Sequence, residues 1–123
     1  MPASSVDVLL VHGDGRFVAK VTGLLRKNAY TVLEAATPAE ALAVVQGNCS
    51  PRLVVVDLEG ASAGEVSTLV ALQADAACGG TALLGLSRTG RDAPRLLRVD
   101  SWLLKPLEAA ELVEAVRRLC GPV

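Results

Sequence analysis

The run Leu53-Val54-Val55-Val56 contains no polar residue and ends on Asp57. A strand with one wet face alternates apolar and polar side chains, whereas a strand covered on both faces is apolar throughout. The run therefore predicts a central strand of a sheet sandwiched between helices, with a carboxylate at its carboxyl end. Open α/β sheets place their chemistry at that end. Asp57 is thus the first candidate site residue.

The other segments alternate around this strand. Residues 6–11, Val-Asp-Val-Leu-Leu-Val, stop at the turn cluster His12-Gly13-Asp14-Gly15 and predict a first strand. Phe17, Val18, Val21, Leu24 and Leu25 then recur at helical spacing, with Arg16, Lys20, Arg26 and Lys27 largely opposite, up to about Asn28. Tyr30 to Glu34 predicts a second strand. Thr37-Pro38-Ala39-Glu40 is a capping box with proline at the first helical position. The helix it opens turns Ala41, Leu42, Val44 and Val45 inward and is ended by left-handed residues at Gly47-Asn48.

Pro51 leads into the Asp57 strand, and Gly60 to Gly64 forms a loop before a third helix that runs to about Ala74. Thr81 to Leu86 predicts the fourth strand. The polar stretch from Ser87 to Asp92 leaves room for only a short helix around Pro94 to Arg98. Ser101 to Leu104 predicts the fifth strand, and residues 108–119 a last amphipathic helix stopped by Gly121-Pro122. Five strands alternating with five helices imply parallel pairing through right-handed crossovers. The expected fold is a doubly wound three-layer sandwich.

A chain of 123 residues can bury one sizeable core, so residues 1–123 are read as a single domain with its core at about 6–119. Twelve basic and thirteen acidic residues leave a net charge of -1, without the positive field that direct DNA or RNA binding requires. No apolar run reaches the length of a membrane span, and Met1 to Ser5 lacks the regions of a signal peptide; no membrane contact and a cytoplasmic location are expected. Cys49, Cys78 and Cys120 are odd in number and scattered, which predicts three reduced thiols without a shared role.

From Val6 to Leu119 the chain resembles the receiver domain of bacterial response regulators in two-component signalling. The resemblance is carried by Asp57 in its Leu-Val-Val-Val-Asp-Leu setting, Ser87 closing Ala-Leu-Leu-Gly-Leu-Ser, and Lys105 in Trp-Leu-Leu-Lys-Pro with Trp102 three residues earlier. It implies a flavodoxin-like five-stranded sheet of order 2-1-3-4-5 with the site at the carboxyl ends of its strands. It further implies that Asp57 is the phosphoryl acceptor position and that Lys105 pairs with the phosphoryl group. Ser87 would bond the phosphoryl oxygens and relay a switch, and Trp102 would report it.

The chain departs from the family after its first strand. Where the family carries two adjacent acidic residues that help hold a magnesium ion, Val8-Leu9-Leu10-Val11 is followed by His12 and Gly13. Magnesium demands oxygen ligands in near-octahedral order; neutral imidazole is a poor ligand for it and glycine offers no side chain. Asp57 and a backbone carbonyl are left, with Asp14 and Glu59 as the carboxylates that could complete the set. The loop after Asp57 lacks the family's Met-Pro pair, and the segment between Ser87 and Trp102 is short.

These departures favour an atypical or pseudo-receiver of a phosphorelay, not an enzyme, with impaired magnesium-dependent phosphorylation. Its expected partner is a histidine kinase or a downstream regulatory protein, with a homodimer as a further form. A working phosphoacceptor and a small ligand-binding domain of flavodoxin-like topology stay open. His12 has two readings, a proton-sensitive partner for Asp57 or a solvated loop residue. Lys105 has a bland alternative as the structural ion-pair partner of Asp57, Ser87 as a turn serine and Trp102 as core packing. Gly13 and Gly15 match a phosphate-cradling loop only weakly, because Val18 takes the third glycine's place. Arg88, Arg91, Arg95 and Arg98 form either a solvated face or a patch for an acidic partner.

Overall fold

The computed structural model describes residues 4–90 and 97–121. Five parallel strands, β1 (Ser4–Val11), β2 (Val32–Ala35), β3 (Cys49–Asp57), β4 (Ala82–Ser87) and β5 (Ser101–Leu104), form one sheet in the order β2-β1-β3-β4-β5. The crossovers contain α1 (Gly15–Lys27), α2 (Pro38–Gln46) and α3 (Ala63–Ala74), and α4 (Ala109–Cys120) follows β5. The expected doubly wound sandwich and its strand order are present.

Alternation along the central strands divides the core in two. Val8, Leu10, Leu53, Val55, Leu84 and Leu86 face α1 and α4, where Val21, Leu25, Leu112 and Val116 meet them. Leu9, Val11, Val54, Val56 and Leu83 face α2 and α3, where Ala41, Val45, Leu69 and Leu72 close the other layer. Leu53, Val54 and Val55 are fully buried. Each such side chain contributes about 1.5–3 kcal/mol of burial free energy, which is why an uninterrupted apolar run suits this position.

Helix entry follows the side chains available. Thr37 Oγ1 accepts the Glu40 N–H at 3.2 Å, but the Glu40 carboxylate reaches one residue further back and accepts the Ala36 N–H at 2.7 Å. A complete capping box occurs instead at Ser62 and Glu65, so α3 begins at Ala63, inside the segment expected to be a loop. Of the two residues expected to end α2 in the left-handed region, only Asn48 adopts it (φ 71°).

Other elements also depart from expectation. β2 starts at Val32 because Ala29 turns the chain with φ 71°, Tyr30 N–H is spent on Leu25 O, and Thr31 N–H is spent on the Asp7 carboxylate. β3 begins at Cys49, so Pro51 lies inside the strand, paired in register with Val6. A 3-10 turn at Ala76–Cys78 was not expected. The short helix anticipated around Pro94 to Arg98 falls mostly outside the described residues; its last two positions, Leu97 and Arg98, are not helical.

Candidate functional site

Parallel pairing brings the strand ends together at one edge of the sheet. Val11 lies opposite Val56, Asp57 opposite Leu86, and Ser87 opposite Leu104. His12, Asp57, Ser87 and Lys105 therefore converge from positions far apart in sequence.

Asp57 is the hub. Its Oδ2 accepts from Lys105 Nζ at 2.9 Å and lies 3.3 Å from His12 Nε2, while its Oδ1 accepts the Glu59 backbone N–H at 2.9 Å. The Asp57 and Lys105 side chains keep about a quarter of their surface exposed, and His12 keeps 12%. The ammonium and the imidazole thus share one carboxylate oxygen in a half-buried setting, where a paired charge is favoured over an isolated one.

His12 has two contacts besides Asp57. Its Nδ1 accepts the Asp14 backbone N–H at 3.0 Å, and its ring stacks on Phe17 with centroids 4.3 Å apart at 29°. A neutral imidazole carries one proton, so the bond to Nδ1 assigns that proton to Nε2, the nitrogen that faces Asp57. Burial holds the imidazole below its usual 6.5, and the Lys105 charge acts in the same direction against the pull of Asp57 and Asp14.

The two carboxylates expected to help Asp57 are engaged elsewhere. Asp14 is the N-cap of α1, its Oδ1 accepting from Arg16 N–H at 3.0 Å and Phe17 N–H at 3.4 Å. That use follows from its position before a helix, where a carboxylate satisfies orphan donors and meets the positive end of the helix dipole. Glu59 Oε2 accepts the Arg88 N–H at 2.7 Å, with Arg88 Nε 4.0 Å from Oε1, bridging the loops that follow β3 and β4. Gly13 and Gly15 flank Asp14 as expected, but Gly15 is the first residue of α1.

Ser87 is fully buried, and its Oγ accepts the Gly90 N–H at 2.7 Å, the geometry of a turn serine. Its carbonyl accepts the Lys105 N–H at 2.9 Å, which ties the exit of β5 to that of β4. Trp102 is half-buried and lies beside Gly85 across the β4–β5 pair; a Cβ at Gly85 would fall 2.9 Å from the indole. Sequence reasoning passed over Gly85, although a glycine inside a buried strand often signals a close approach. It also passed over the Asp14 and Glu59 backbone N–H groups, whose aim no side-chain pattern reveals.

A cleft of about 220 Å³ opens on one side of Asp57, among His12, Gly13, Pro38, Glu59 and Glu65. A second, of about 290 Å³, opens on the other side against Asp14, Phe17, Lys105, Pro106 and Leu107. The Lys105–Pro106 peptide is cis. The donor set here does not suit magnesium, because the groups nearest Asp57 are an imidazole N–H and an ammonium, which offer protons where a hard cation needs oxygen lone pairs.

No protein-family model matches the chain, and no curated protein does. Solved structures do. The chemotaxis response regulator CheY4 of Vibrio cholerae superposes with a TM-score of 0.79 at 21% identity, covering 95% of this chain and 98% of that one. The receiver domain of a sensor histidine kinase from Pseudomonas aeruginosa, solved with a magnesium ion in its active-site cleft, gives 0.77 at 19% identity over 96% and 99%. The receiver domain of the hybrid histidine kinase CckA gives 0.73 at 25% identity over 93% and 98%. The chain has the CheY-like, flavodoxin-like fold of receiver domains.

Proposed function

We propose that this chain is a receiver module of two-component signalling that acts by protein interaction rather than by taking up phosphate efficiently. One observation carries the reading. Lys105 and Asp57, 48 residues apart in sequence, meet at 2.9 Å at the carboxyl end of a sheet of this topology. That is where such sheets build sites, and the lysine and aspartate are the groups the resemblance assigns to phosphoryl acceptance. The receiver neighbours support the signalling context.

The silence of the site follows from its electrostatics. Phosphoryl transfer depends on positioning and charge neutralisation by metal and donors. Here the carboxylate already has donors on both oxygens, and the nearby carboxylates are engaged in a helix cap and a loop bridge. The module then works as a docking surface for a histidine kinase or a downstream regulator, without turnover of its own.

Incubation with a small phosphodonor and magnesium, followed by intact-mass measurement, tests this. The expected result is no stoichiometric phosphate adduct. An adduct that disappears in Asp57→Asn would replace the reading with that of a working phosphoacceptor, for which the partial exposure of Asp57 between two clefts leaves an approach.

A further inference from the structure

We infer that His12 closes the Asp57 site to divalent cations by setting an imidazole N–H, alongside the Lys105 ammonium, against the carboxylate oxygen a cation would need. The inference rests on the receiver reading above and supplies the cause of its silence.

The geometry is specific about which nitrogen faces Asp57. Because the Asp14 N–H occupies Nδ1, the nitrogen 3.3 Å from Asp57 Oδ2 is the protonated one and has no lone pair for a metal. Moving the proton to Nδ1 would set two N–H groups against each other. Turning the ring away would break its stack on Phe17. A cation arriving at Oδ2 would therefore have to displace the ammonium and face an N–H dipole of the wrong sign. It would gain one carboxylate directly, while Asp14 Oδ1, Glu59 Oε2 and Glu65 Oε1 are turned to backbone N–H groups, bonds that a metal would have to share or break. Magnesium loses its waters reluctantly, and one carboxylate beside a fixed ammonium is poor compensation.

The same geometry shows how the site would be opened. An aspartate at position 12 would stand on the strand end beside Asp57. A Cβ at Gly13 would meet nothing nearer than Ala36 O at 3.8 Å, so a side chain can start there without a clash at its first atom. His12→Asp with Gly13→Asp thus replaces an N–H donor with oxygen ligands while leaving Asp57 and Lys105 in place.

Magnesium alone is titrated into the intact chain and into this double variant, following Trp102 fluorescence and the Glu59 and Asp14 amide resonances. The parent is expected to show no saturable response at millimolar metal, and the variant a saturable one within that range. Nitrogen-15 spectra of the parent's only histidine should show Nε2 protonated and Nδ1 bare near neutral pH. Saturable binding by the parent, the opposite tautomer, or a folded double variant that gains nothing would each overturn the inference. If the double variant does not fold, His12→Asp alone carries the same expectation. Phosphate labelling of the parent with a flat magnesium titration would overturn the reading of a receiver that is silent toward phosphate and leave this inference standing.

Discussion

His12 and Asp57 show how a single side chain acquires a role from its neighbours. Burial disfavours the imidazolium, so between the lowered folded pKa and 6.5 the unfolded chain binds a proton that the folded chain does not. Stability contributed by neutral His12 is therefore complete above about pH 6.5 and falls as acid takes the solution below it. Urea midpoints measured from about pH 7.5 to about 5.5 should drop, and His12→Gln, which cannot titrate, should flatten that part of the slope. Equal slopes in the two proteins would remove His12 from the account. The expectation that His12 stands near Asp57 was readable from its place at the adjacent strand end. That its proton sits on Nε2 was not, because the backbone N–H that decides it belongs to a turn whose geometry no residue pattern specifies.

At the level of elements, β4 and β5 meet through a glycine. Gly85 faces Trp102 and Leu58, and an added methyl would lie 2.9–3.0 Å from both, closer than real contacts allow. Gly85→Ala should cost about 1–3 kcal/mol in denaturant unfolding and shift the emission of the lone tryptophan. Trp102→Leu in the same chain should recover part of the loss; no recovery would mean that the strain lies elsewhere. The connection into β5 is held by a side chain that imitates backbone: Gln73 Nε2 donates to Arg98 O at 2.6 Å, and its Oε1 accepts the Arg98 N–H at 3.1 Å. Gln73→Ala should lose about 1 kcal/mol and the hydrogen-exchange protection of the Arg98 amide. An unchanged amide would show that the segment is fixed instead by the Asp100 carboxylate, which accepts the Leu83 N–H at 2.8 Å.

Over the whole molecule, the end of the sheet away from the site is closed by polar groups. Asp7 accepts from Thr31 N–H and Oγ1, Arg52 bridges Asp7 to the Cys120 carbonyl, and Tyr30 donates its hydroxyl proton to Gly121 O. Cys49, Cys78 and Cys120 are buried and free, and burial pushes the Cys120 thiol up to about 11. A thiol reagent at mildly alkaline pH should leave Cys120 unmodified in the folded chain and label all three cysteines in denaturant. Fast labelling of Cys120 in the native state would show that the end of α4 opens. Among the described residues no helix is long and apolar enough to cross a membrane.

The division of labour between sequence and tertiary structure follows from the range of the forces. Unbroken apolar runs such as Leu53 to Val56, helical spacing in α1 and α4, and the cap at Thr37 are local or periodic signals, and they were enough to determine the alternation and the parallel sheet; its order was implied by the resemblance to receiver domains. The sequence likewise placed Asp57 and Lys105 at strand ends, because each closes its own apolar run. Only the tertiary structure decided how those ends are used. Asp14 serves α1 rather than Asp57, Glu59 binds Arg88, and Asp57 Oδ2 accepts the Lys105 ammonium with the His12 imidazole 3.3 Å away. A carboxylate accepts whichever donors the fold brings within about 3 Å, and that competition among near-equal hydrogen bonds is settled by backbone geometry across strands.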